Sequence, residues 1–397
     1  MDKKFKKTEI NFLVGIASAL GFRQFSLILA MPLFAIYANT LEGATSALIG
    51  MAIGIYGLFQ AILQVPYGAL SDRIGRKPIV LIGIIQLAAG LYLASISSNI
   101  YVLIGARALQ GSGAIMAVAY SWISDVIIEE KRNQAMSIVG IAFGIAGTVA
   151  FIGATLLNKV FTVSQIFLIC AALTMVTWVY IAFFIKEDKA QIKVKKKEKI
   201  DFKILNKDFI KVSLGGFFVN YSMVSVFIII PQFIDKTIGS GAMWKIFIPA
   251  TVLGIIAMRI SARFADKGYE KNVIKVSFIT ISISTICFLT ESIYFVGAGL
   301  MLYFIGYMSL VTLFPATATK FAPKNAVGSV TGIFNTVQFM GSFLGGVLTG
   351  ALGGIGKNPA IVALLVICII IGLTVNTIKS FSPDNISKIN QLNPATD

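Results

Sequence analysis

Twelve apolar runs recur along the whole chain, roughly at 11–37, 46–67, 78–97, 100–126, 135–157, 164–185, 209–234, 243–262, 273–293, 295–319, 328–352 and 359–378. About 20 residues of helix cross a hydrocarbon core ~30 Å thick, so runs of this length read as membrane spans. Several exceed that length, which implies tilt. Charged residues are only 13% of the chain and hydrophobic residues 56%, where a soluble domain carries about 25% charge. Mean hydropathy is +0.84. The expected fold class is therefore all-α membrane protein, with twelve transmembrane helices. The first run contains Arg23 and continues without a clear small-residue cleavage site, so no cleavable signal peptide is expected.

A net charge of +16 invites a nucleic-acid reading, but the placement of the cations argues against it. With the N-terminus inside, the inner segments hold Lys3, Lys4, Lys6, Lys7, Arg73, Arg76, Lys77, Lys131 and Arg132, then many lysines over 186–211, then Arg263, Lys267, Lys271, Lys275, Lys320, Lys324, Lys379 and Lys388. The opposite side holds only Lys159, Lys236, Lys245 and Lys357. This is the positive-inside pattern, and it places both termini in the cytoplasm of a cell with this protein in its inner membrane. The run KVKKKEK at 193–199 reads as a solvated linker that could also touch anionic lipid headgroups. Cys170, Cys287 and Cys368 lie far apart inside apolar runs and suggest no disulfide framework. The chain has no histidine and no cluster of carboxylates, so neither a metal site nor a cofactor is expected.

The one long polar interruption, 186–208, divides the chain into a six-span bundle at 1–185 and another at 209–380, followed by a tail at 381–397. The halves carry traces of duplication. RFADKGYEK at 263–271 follows span eight as ALSDRIGRK at 69–77 follows span two, so Asp266 corresponds to Asp72, Lys267 to Arg73 and Gly268 loosely to Gly75. SIVGIAF at 137 likewise resembles SVTGIFN at 329.

The stretch GALSDRIGRKP, 68–78, reads as a hairpin link between spans two and three. Gly68 and Gly75 permit close approach and tight turning. Pro78 can start the next helix, where its missing N–H is harmless, and Arg73, Arg76 and Lys77 hold the inside face. None of this needs Asp72. A carboxylate at the membrane edge requires a partner, either a nearby arginine or the N-terminus of another helix, whose dipole favours an anion by ~0.3–2 kcal/mol. A contact of that size favours one packing of the bundles over another without freezing it. A static salt bridge that merely shapes the hairpin is the other reading.

Gly68, Leu70, Asp72, Arg73, Gly75, Arg76 and Lys77 match the G-x-L-x-D-R-x-G-R-K signature of the major facilitator superfamily, and RALQGSGA at 107–114 resembles its fourth-helix motif through Arg107, Gln110, Gly111, Gly113 and Ala114. With GMAIGIYGLFQAILQVPYG at 50–68, the first half is similar to the drug:proton antiporter branch, particularly its YajR-like members, here without the soluble C-terminal domain. The resemblance implies two six-helix bundles in the major facilitator fold, a monomer, and transport by alternating access. It also implies that Asp72 helps latch the outward-facing state against span eleven and that Asp125 joins that charge network at the end of span four. The Gly-Pro pair usual in span five of such antiporters is absent: the region reads GIAFGIAGTVAFIGATLL, with Gly140, Gly144, Gly147 and Gly153.

Charges inside spans are candidates for function, at ~2.5–3.5 kcal/mol each on insertion scales. Arg23 lies near the middle of span one, too deep to snorkel easily. Arg107 is about two turns from the outer end of span four, where snorkelling alone would explain it. Arg259 near the inner end of span eight suits snorkelling. Gln60 and Gln64 share a helix face, as do Asn335 and Gln338, and each pair either lines a cavity or bonds a neighbouring helix. Asn220, Tyr221 and Tyr120 are further candidates. Pro32, Pro66, Pro231, Pro249 and Pro315 interrupt spans and suit either kinks or static packing. All acidic residues sit in loops or at span ends, with Asp72, Asp125, Asp235, Asp266 and Glu291 nearest the bilayer.

The expected function is proton-coupled export of small amphiphilic compounds. The alternative is an organic-anion carrier with Arg23 and Arg107 as its anion site, since a cavity with arginines and no deep acid suits an anionic, zwitterionic or neutral compound. Proton coupling would use Asp72, Asp125 or a carboxylate on the substrate. The expected partners are thus a small-molecule substrate, protons and membrane lipid. An intramembrane enzyme lacks a nucleophile–base pair or metal cluster, and a non-transporting sensor lacks an output domain.

Overall fold

The computed structural model describes residues 5–157, 160–186, 207–321 and 327–378. The chain divides into two compact units, Met1–Glu198 and Lys199–Asp397. The first holds α1 (Lys7–Asn39), α2 (Ser46–Ile74), α3 (Arg76–Ser95), α4 (Ile100–Ser112), α5 (Met116–Val126), α6 (Glu129–Leu157) and α7 (Val163–Phe184). The second holds α8 (Lys207–Ile238), α9 (Trp244–Phe264), α10 (Glu270–Phe288), α11 (Ile293–Lys320), α12 (Val327–Gly353) and α13 (Lys357–Asn376). Residues 187–206 of the expected linker, the expected tail, and Lys3, Lys4, Lys159, Lys324, Lys379 and Lys388 lie outside the described residues.

Among the described residues, ten stretches are long and apolar enough to cross a membrane, one of which, Ser240–Phe288, contains both α9 and α10. With α12 the helices account for the twelve apolar runs. Large side chains such as Ile141, Ile145, Val176 and Phe183 are exposed, an outer surface suited to lipid and not to water. Polar side chains set where helices begin. Thr45 and Asn99 accept from the backbone N–H of Leu48 and Val102, and Thr162 forms a reciprocal cap with Gln165, each meeting donors that a helix start leaves open. The α1–α2 and α3–α4 loops are tied by Glu42 N–H to Ser98 O and Ile100 N–H to Glu42 O, at 3.1 and 3.0 Å.

The hairpin differs from its expected form. Helices α2 and α3 run into the motif and leave Gly75 alone as the link, at φ 106°, a conformation that only glycine adopts without strain. Asp72 and Arg73 therefore lie on the last turn of α2, and Arg76 and Lys77 open α3. Pro78 is the third residue of α3 rather than its first, still within the turn whose N–H groups have no helical acceptor. Gly68 does not serve close approach as expected: a Cβ there would meet no atom within 4 Å. The corresponding link in the second unit is a π turn, Ala265–Tyr269, with Gly268 at φ 89°. The five expected proline interruptions all sit inside helices that continue past them: α1, α2, α8, α9 and α11.

The fourth expected span is broken at Gly113–Ile115, between α4 and α5. Here α3 crowds the chain: a Cβ on Gly113 would lie 2.5 Å from Gly83 O, and one on Gly83 would lie 2.1 Å from Ile115 Cγ2. Below the break, Trp122 meets Phe12 edge-on with centroids 5.1 Å apart, within a core that includes Ile16, Ile79, Val80, Ile123 and Ile181. In the second unit Phe227, Phe247 and Phe304 form a ring cluster with centroids 5.9–6.4 Å apart. The three cysteines are free.

Close helix approach in the first unit rests on Gly111, whose Cβ would lie 2.3 Å from Tyr56 O. Gly111→Ala is expected to lower stability by about 1–3 kcal/mol, as overpacking does. Gly140→Ala, where a Cβ meets nothing within 4 Å, is expected to leave stability unchanged or raise it slightly. The thermal midpoints of the purified variants in detergent test the contrast.

Candidate functional site

Arg23 is the seventeenth residue of α1, about 24 Å along it at ~1.5 Å per residue. It is 1% exposed. Its Nη2 donates to Tyr56 Oη at 2.5 Å and to Gln60 Oε1 at 2.8 Å. A guanidinium has donors only, so it turns the oxygen of Gln60 towards itself and the amide nitrogen away. Arg107, 2% exposed, does not snorkel. Its Nη1 donates to Gln110 Oε1 at 2.7 Å and its Nε to Ala52 O at 3.4 Å. Gln110 Nε2 in turn donates to Gly90 O at 3.0 Å.

Rings complete the cluster. Arg107 Cζ lies 5.1 Å from the Phe34 centroid and 4.9 Å from that of Tyr56, and Arg23 Cζ lies 5.9 Å from Tyr56. Ring quadrupoles attract a cation most strongly where water is absent. Tyr120 on α5 lies within Coulombic reach of Arg23. No carboxylate bonds either arginine among the described residues. Gln64, one turn along α2, is buried, and neither atom of its amide has a partner among the described residues. The sequence reading missed Tyr56, the hub of this cluster. The spacing of Tyr56, Gln60 and Gln64 by four residues along α2 is the signal that could have found it.

A second cluster lies at the α2–α3 link. Arg76 donates to Asp72 at 2.5 Å, to Ser71 Oγ at 2.6 Å and to Asp125 on α5 at 2.9 Å. Asp72 has thus found an arginine, one of its two expected partners. Its side chain remains 59% exposed, against 21% for Asp125. Lys77 Nζ donates to Ala182 O and Ile185 O at 2.8 and 2.6 Å, meeting the open carbonyls at the end of α7. Arg73 and Gly68 join neither cluster through any described bond, and Arg73 is exposed.

In the second unit Gln338 on α12 donates to Asn220 on α8 at 3.3 Å, so this pair bonds helix to helix. Asn335 is half-buried. Tyr221 O accepts from Ser225, whose hydroxyl accepts from Thr349 at 2.7 Å. The acidic inventory read from the sequence omits Glu270, which is buried at the first residue of α10, accepts from Thr317 and pairs with Lys320 at 2.5 Å. In the duplicated hairpins Glu270 stands four residues after Asp266 as Arg76 stands four after Asp72. The pair is thus repeated with its signs exchanged.

Helix dipoles separate the two pairs. Glu270 at a helix start and Lys320 at a helix end sit favourably, at ~0.3–1 kcal/mol each, whereas Arg76 at the start of α3 and Asp125 at the end of α5 oppose their dipoles. The first pair is held by its partners alone.

Long apolar helices that draw arginines and amides inward define a multi-pass membrane protein built around buried polar clusters. The chain belongs to the Major Facilitator Superfamily, which it matches over residues 12–346, and is a transporter of that family. It is 28% identical over 361 residues to the inner membrane transport protein YajR of Escherichia coli (strain K12), covering 89% of this chain and 80% of the relative. It is 31% identical over 141 residues to the class B tetracycline resistance protein of Escherichia coli, covering 35% of each. A bacterial homologue of the human lysosomal transporter Spinster shares the fold, with TM-score 0.76 and 14% identity over 97% of this chain and 98% of that one.

Breaking the half-buried Glu270–Lys320 pair is expected to cost about 1–3 kcal/mol, between the surface and buried limits. Glu270→Lys alone should lower the thermal midpoint, and adding Lys320→Glu should restore only part of it, because the exchanged charges then oppose both dipoles. Full restoration would remove the dipole argument.

Proposed function

We propose that the protein is a monomeric inner-membrane exporter, with both termini in the cytoplasm, that moves small amphiphilic compounds outward in exchange for protons by alternating access. The observation that carries this reading is the relay in which two carboxylates, Asp72 and Asp125, share Arg76. Protonating one of them shifts the guanidinium towards the other, so proton binding is a rearrangement of bonds at the α2–α3 link. Opposed dipoles keep the cost of that rearrangement small. A proton driven by 100 mV brings ~2.3 kcal/mol, and ~1.4 kcal/mol supports each tenfold of gradient, so exchange sustains roughly a fortyfold concentration difference. The likeness to YajR over most of the chain supports transport, and the likeness to a tetracycline resistance protein over part of it supports the outward direction. Arg23, Gln60, Gln64, Arg107 and Gln110 in the first unit, and Asn220, Asn335 and Gln338 in the second, are the residues proposed to serve substrate or coupling.

Inside-out vesicles with an acidified lumen test the reading. Addition of cationic, neutral and anionic amphiphiles in turn is expected to release protons for at least one class, and Asp72→Asn is expected to reduce that release to background. Silence across the panel from folded protein would overturn proton exchange.

A further inference from the structure

We infer that the transported compound carries an anionic group, a carboxylate or similar oxyanion, which docks on Arg23 together with Gln60 and Gln64 inside the first unit. The inference rests on the transporter reading and gives it a substrate class. Its basis is a mismatch in hydrogen bonding. Arg23 Nε, Gln60 Nε2 and both amide atoms of Gln64 are buried and have no partner among the described residues. Nearly all such groups in folded proteins are satisfied, so a group of four marks a position where something else supplies the bonds.

The unmet atoms favour one kind of ligand. Three are N–H donors, and a single one, Gln64 Oε1, is an acceptor. Tyr56 adds to the donors: its oxygen accepts from Arg23 Nη2, which leaves its own proton to be given elsewhere. A ligand that meets this set must be rich in acceptors. Its charge follows from the field. Arg23 carries a full positive charge, Arg107 stands over the same Tyr56 ring, and the described carboxylates Glu9, Glu42, Asp72 and Asp125 of this unit lie at helix ends or in a loop. A cationic ligand would be repelled here, and a neutral one would bring no counter-charge to the arginine. Bonds from an arginine to a carboxylate are charge-assisted and among the stronger hydrogen bonds.

The two arginines differ in this respect. Nε and Nη1 of Arg107 are bonded within the protein, whereas Arg23 has a buried Nε without a partner among the described residues. In the second unit the comparable amides, Asn220 and Gln338, bond each other.

Equilibrium dialysis of the purified full chain in detergent, with no gradient, gives the test. Naphthoate, naphthamide and naphthylmethylammonium share an aromatic body and differ in head charge. Naphthoate is expected to bind most tightly, and Arg23→Gln to weaken it about ten- to hundredfold, the range for losing hydrogen bonds to a charged group, with Arg23→Lys recovering part. Gln64→Leu is expected to weaken it severalfold without lowering the thermal midpoint of the ligand-free protein, since it removes only unmet polar atoms. Naphthoate no tighter than the amide, naphthoate binding that survives Arg23→Gln, or a thermal midpoint that falls in Gln64→Leu would overturn the anion site. Arg23-dependent binding without proton release in vesicles would leave the site standing and remove proton exchange.

Discussion

A charge held away from water must be compensated by whatever the neighbouring helices present, and the first unit is organised around that requirement. Among the described residues no carboxylate answers Arg23 or Arg107. Aromatic faces, amide oxygens and a backbone carbonyl do so instead. Such partners act only at close range, so the helices that carry them must pack tightly. Gly111 brings α4 against the backbone of Tyr56, and Gly90 lets α3 receive the amide of Gln110. Small residues at helix contacts thus fix the electrostatics of the interior, as well as its packing.

At the helix ends the same requirement has two different solutions. Arg76 gathers two carboxylates and a hydroxyl at the start of a helix that disfavours it, and Glu270 takes one lysine and one threonine at a start that favours it. Each hairpin turns on a left-handed glycine and keeps an acid followed by a base, Asp72–Arg73 and Asp266–Lys267. Only at Arg76 and Glu270, with their partners Asp125 and Lys320, is the pairing present with opposite polarity.

Much of this was legible in the sequence, for reasons that can be named. Runs of apolar residues announce spans because lipid leaves helix length almost no freedom. The charged motif at 68–78 announced a link, but its length was misread: polarity was taken for loop, whereas Asp72, Arg73, Arg76 and Lys77 are helical and only Gly75 turns. The break at Gly113–Ile115 was invisible because the close packing that accompanies it involves Gly83, on another helix. Arg23 and Gln60 were singled out, yet no spacing could say that they bond each other 37 residues apart. Tyr56 was passed over because tyrosine in an apolar run looks like packing. Glu270 was passed over because the repeat was aligned by likeness, and a reversed sign is not a likeness.

The interruption of the fourth span has a mechanical consequence. A continuous helix is a stiff rod, and a twist applied at one end arrives at the other. Here Arg107 and Gln110 belong to one rod and Tyr120 and Asp125 to another, with no full turn of helical bonding joining them across Gly113. The lower rod is clamped to α1 through Trp122 and Phe12, on the helix that also bears Arg23. The half that carries Asp125 is therefore connected to Arg23 through its packing on α1, and not by continuous helical bonding up the fourth span.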